Sequence, residues 1–134
     1  MGTSPHVYIV MLPAPLLLLA LVLELVALRG FSGLRSWARG LVTAALALVL
    51  LAGFTGLGAR RRLVSVLPGD GTPWDGHALW AVVLAVPLLV LGIVRLRRPA
   101  PRTRKEGWIL VLLDLAMALL ASTIMYTGLR PPTP

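Results

Sequence analysis

The sequence predicts an all-α integral membrane protein: a four-helix bundle running up-down-up-down, with both termini on the exterior side. Three observations predict it. The 134 residues are 57% hydrophobic and only 13% charged, with mean hydropathy +0.87, whereas a soluble domain carries about 25% charged residues. Four apolar runs each supply roughly 20 residues, enough to cross about 30 Å of hydrocarbon as a helix. The basic residues gather in the gaps between those runs, as segments buried in lipid require. Residues 1–134 read as a single membrane domain.

The first span covers about Val7–Leu28. Its apolar part exceeds the roughly 7–15 residues of a cleaved signal core, and no Lys or Arg precedes it, so it reads as retained. Pro13 and Pro15 predict loosened or kinked early turns, because proline lacks an N–H and crowds the preceding turn. The link Arg29–Gly40 places Phe31, Leu34 and Ala38 on one helical face and Arg35 and Arg39 on another. That pattern predicts one or two turns lying in the headgroup region, anchored by Trp37.

The second span is about Leu41–Ala59, rich in Ala44, Ala45, Ala47, Ala52, Gly53, Gly56 and Gly58. Such residues let helix backbones approach closely. Arg60, Arg61 and Arg62 are read as its abrupt end. In the loop that follows, Leu63–Leu67 is placed at the interface, Pro68–Gly71 reads as a turn, and Asp75 is placed to cap the next helix.

The third span is about His77–Leu96, with Pro87 predicting a kink near its middle. The segment Arg95–Glu106, basic and proline-containing, reads as an extended, solvated loop. The fourth span is about Gly107–Leu129, interrupted only by Asp114, and the proline-rich tail 130–134 reads as disordered.

Counting charges orients the bundle. Arg29, Arg35, Arg39, Arg95, Arg97, Arg98, Arg102, Arg104 and Lys105 fall on one side, against Arg60, Arg61, Arg62 and Arg130 on the other. The richer side is cytoplasmic by the positive-inside rule, which puts the N- and C-termini outside. The net charge of +8 is accounted for by topology and by anionic lipid, not by nucleic acid. The absence of cysteine excludes disulfides, zinc thiolates, iron–sulfur clusters and c-type haem attachment. No phosphate loop, metalloprotease motif, nucleophile constellation or EF-hand spacing is present, so the sequence gives no support for an enzyme of soluble hydrolytic type.

The residues that could carry chemistry are few. His6 and His77 begin spans one and three, which point the same way and lie diagonally in a bundle ordered 1-2-3-4. Two imidazoles facing across such a core would ligate a b-type haem, with Arg60, Arg61 and Arg62 at the same end as partners for its propionates. Met11, Met117 and Met125 read as core fillers; Met11 and Met125 lie toward the histidine end, which keeps a His/Met haem conceivable. Tyr8, Tyr126, Trp74, Trp80 and Trp108 fit aromatic belts. Glu24 and Asp114, the acids inside the spans, fall at similar depth near the cytoplasmic side. Each either meets an arginine such as Arg29 or Arg95, or the two share a proton.

His6, Pro13 and Glu24, together with His77 and the Trp37–Gly40 segment before AALALVLLAGFTGLG, resemble in type and spacing the four-span bacterial membrane proteins of domain of unknown function family 2231. Val7 and Met11 stand where that family has a proline and a second histidine, and Glu24 stands where it has aspartate. The resemblance implies a bacterial inner-membrane protein. Because some relatives occur beside or fused to Rieske-type iron–sulfur modules, it also implies redox work. Three functions are therefore expected in competition: a haem b electron-transfer module, a non-catalytic accessory subunit packing against other membrane or redox subunits, and a small proton-coupled transporter.

Overall fold

The computed structural model describes residues 5–66 and 74–129, with side chains over 8–56 and 81–126. Every regular element among the described residues is a helix: α1 (Pro5–Met11), α2 (Pro13–Ala27), α3 (Leu34–Val66), α4 (Trp74–Arg97) and α5 (Arg104–Leu129). Three stretches are long and apolar enough to cross a membrane, Tyr8–Ala27, Leu34–Gly56 and Arg104–Tyr126, which marks the chain as a membrane protein. The described side chains of α4 continue that character, with Val82, Val83, Val86, Val90 and Ile93 exposed along it.

The first span is broken at Leu12, between α1 and α2. Pro13 and Pro15 donate no N–H, so the helical ladder loses two bonds within three residues and restarts with Leu16 N–H on the Leu12 carbonyl at 3.3 Å. The early turns are thus loosened, as expected: the hydrogen-bond ladder is interrupted, while Leu12 itself keeps helical angles (φ −73°, ψ −36°) and Tyr8–Ala27 continues as one span. At its other end α2 closes on Gly30, whose φ of 118° lies where a side chain would be strained.

Several boundaries differ from the sequence reading, and the loop expected over Arg95–Glu106 is shortened from both sides, α4 running to Arg97 and α5 beginning at Arg104. The one or two turns expected between Arg29 and Gly40 are not separate: from Leu34 they are the first turns of α3, entered by a turn with Leu34 N–H on the Phe31 carbonyl at 3.0 Å. Nor do Arg60, Arg61 and Arg62 end that helix, which runs on to Val66. Arginine is a good helix former, so three of them end an apolar run without ending the helix. At 33 residues α3 is about 50 Å long and outreaches the hydrocarbon. Finally, α4 begins at Trp74, so Asp75 lies inside the helix and not before it. Pro68–Gly71 and the tail 130–134 lie outside the described residues.

Packing follows chain order. α2 packs against α3 and α5, α4 packs against α5 and α3, and α1 packs against α3. The core contains Ala14, Leu17 and Ala20 of α2, Ala38, Val42 and Ala45 of α3, Leu88 of α4, and Met117, Ala118 and Ala121 of α5. Of the small residues expected to mediate close approach by α3, Ala45 does so, whereas Ala44 and Ala47 face outward. The tightest approach belongs to α4. A Cβ built on Gly92 would overlap the Leu46 side chain, so the two helices meet there through a glycine.

The turn before α5 is a capping box in slightly shifted form. Thr103 Oγ1 accepts from Glu106 N–H at 3.2 Å, while Glu106 Oε2 accepts from Arg102 N–H at 2.7 Å. Replacing Thr103 with alanine is expected to cost about 1 kcal/mol and to speed amide exchange in the first turn of α5. Hydrogen exchange in detergent micelles measures it.

Candidate functional site

Among the described residues, three charged side chains are buried and a fourth, Arg35, reaches in to them. Glu24 and Asp114 are fully buried and Arg95 is 4% exposed. Arg95 Nε donates to Asp114 Oδ1 at 2.9 Å, and its Nη2 donates to Glu24 Oε2 at 3.4 Å. Arg35, one-quarter exposed, places Nε 3.4 Å from Glu24 Oε1. One guanidinium thus ties together α2, α4 and α5, and a second brings in α3.

Helical phase puts them there. On α2, Glu24 continues the buried series Leu17, Ala20, Glu24, Ala27; on α5, Asp114 continues Leu110, Asp114, Met117, Ala121. Leu88, Gly92 and Arg95 share a face of α4, and Arg35, Ala38 and Val42 share one of α3. By sequence Arg95 reads as the first residue of a solvated loop. Instead α4 runs through it to Arg97, and the side chain turns into the core. The two carboxylates and two guanidiniums are formally neutral together. Within the group, Glu24 Oε1, Arg35 Nε and Asp114 Oδ2 make no hydrogen bond. A buried set of this kind costs several kcal/mol to desolvate and persists only because its charges compensate one another.

The turns on either side of the network lie at one end of the molecule. Arg39 Nη2 donates to the Leu96 carbonyl, closing the C-terminus of α4 from α3. Gly107 sits against Leu28, and any side chain at 107 would collide with it. Glu24 and Asp114 are four and seven residues from that contact, placing them at about 6 and 10 Å depth.

The other candidates fare differently. His6 lies in α1 and His77 in α4 by backbone, but both side chains, with those of Arg60, Arg61 and Arg62, are outside the described residues. Met11 is 38% exposed at the end of α1 and is not a core filler. Met117 is fully buried, and Met125 packs against the core. Tyr8 and Tyr126 are exposed toward one end, and Trp37 and Trp108 toward the other. No group of three or more potential metal ligands occurs among the described residues.

No family model matches the chain, and no curated protein or solved structure matches it either.

Proposed function

We propose that the chain is a non-catalytic accessory subunit of a bacterial inner membrane, a four-helix bundle in up-down-up-down order with both termini outside. The observation that carries this reading is the closed ion network. Both intramembrane acids are compensated by arginines and shut away from the surface, which is the arrangement of a lock between helices. The outward faces add a second support. Gly40, Ala44 and Ala47 line one exposed face of α3, and small residues of that spacing suit packing against another helix. Native mass measurement after mild detergent extraction tests it. The expected result is co-extraction in a larger assembly of defined composition; a lone monomer from its own membranes overturns it.

A second reading, a b-type haem electron-transfer module, is favoured by one observation. Glu24 near the C-terminal end of α2 and Arg95 near that of α4 meet across the core, so these helices run in the same direction. Their N-terminal ends, toward His6 and His77, then share the opposite side, as a bis-histidine site with propionate partners at Arg60, Arg61 and Arg62 requires. The resemblance to family 2231 adds to it. Protein purified from its own membranes is expected to show a Soret band that is lost in His6→Ala and His77→Ala; no Soret absorption with added haem ends this reading.

A further inference from the structure

At the end where the α2–α3 and α4–α5 turns meet, the surface opens into a cleft of about 580 Å³ lined by Arg29, Arg35, Arg102 and Arg104, with no acid in its wall. Arg35 is partly committed to Glu24. The guanidiniums of Arg29, Arg102 and Arg104 have no carboxylate partner among the described residues. Glu24, Asp114, Arg95 and Arg35 already cancel, and Glu106, outside the wall with its Oε2 on the Arg102 N–H, offsets one further charge, so the three guanidiniums leave a net positive excess at one opening.

We propose that this cleft binds the phosphate headgroup of an anionic phospholipid. Guanidinium forks match phosphate oxygens in pairs, and several converging on one concavity favour a multiply charged anion over a single carboxylate. A lipid rather than free phosphate is indicated by what surrounds the opening. Leu28 and Pro101 complete its wall. Trp37 and Trp108, 70% and 47% exposed, mark the headgroup level at this end. Below it, Leu25 and Leu112 are exposed where acyl chains would run. The inference rests on the membrane placement given above and is independent of whether the chain has a protein partner or a haem.

The test uses full-length protein in detergent micelles doped with cardiolipin, phosphatidylglycerol or phosphatidylcholine, read by native mass spectrometry of retained lipid. Wild-type protein is expected to retain cardiolipin at least tenfold over phosphatidylcholine. Each of Arg29→Gln, Arg102→Gln and Arg104→Gln is expected to weaken retention roughly fivefold. Combined neutralisation of Arg97, Arg98 and Lys105, outside the cleft, is expected to leave retention within about twofold of wild type. Equal retention of the three lipids by wild type overturns the proposal, whatever the variants do. An equal loss from the cleft and outside sets also overturns it, because charge alone then explains binding. Displacement of cardiolipin by inorganic phosphate at matching concentration overturns the lipid assignment and gives the site to free phosphate.

Discussion

Arg95→Met is expected to lower stability by about 3–5 kcal/mol, because it leaves Asp114 an unpaired carboxylate in a buried site and Glu24 with only the partly exposed Arg35. Methionine keeps the length and apolar stem of arginine, so little of the loss comes from packing. SDS or thermal unfolding in micelles, followed by helical circular dichroism, measures it. The same experiment carries its own control. Arg95→Met combined with Glu24→Gln and Asp114→Leu is expected to recover most of the loss, since replacing buried ions by neutral residues is often neutral or stabilising and the remaining Arg35 is partly exposed. A triple variant no more stable than Arg95→Met would show that the arginine acts through something other than its charge. Arg35→Met is expected to cost less than Arg95→Met, because Arg35 is partly exposed and Glu24 keeps its contact with Arg95.

Gly92→Val is expected to cost about 1–3 kcal/mol, the usual range for forcing volume into a packed interface. The added carbons fall on Leu46, which is itself only 8% exposed and has core neighbours on its other sides. Terminal methyls yield more readily than backbone, which keeps the cost finite. Leu46→Ala introduced with Gly92→Val is expected to return part of the loss, and the two changes should couple in a double-mutant cycle. Additive effects would mean that the helices separate at this point instead of repacking. Gly107→Val meets Leu28 in the same way, but Leu28 ends its helix beside the open cleft and has room to turn away, so the smaller effect is expected there.

Much of this was legible. Hydropathy found the apolar runs because lipid demands continuous apolar length, and the prolines of α1–α2 foretold a discontinuity. Glu24, Asp114 and Arg95 were all picked out, with Arg95 named as a partner for the acids. The missing step was phase. Arg95 looked like the first residue of a basic loop because Arg97 and Arg98 follow it. Yet it lies three residues after Gly92, and on a helix that shares a face with the close-packed glycine. Arg35 lies three before Ala38 in the same relation, and Ala20 and Ala27 flank Glu24 at helical spacing. Small residues mark the packed side of a membrane helix, so charges in phase with them belong inside. Helix ends were harder to place, because an arginine ends an apolar stretch without ending the hydrogen-bonded helix. The histidine end leaves no such internal mark: two residues far apart in sequence meet only if the spans are correctly ordered.

The order in which the network's charges occur along the chain bears on how the protein enters its membrane. Glu24 and Arg95 sit within three residues of the last residues of α2 and α4, close enough for either side chain to reach headgroups while its helix is still alone. Asp114 is ten residues inside α5 and has no such escape. During synthesis it is made after Arg95, so its cation already exists when α5 leaves the ribosome. The chain therefore does not have to carry its deepest charge into lipid unaccompanied. Arg95 is thus already made when α5 packs against α4 and Asp114 takes its place on the guanidinium.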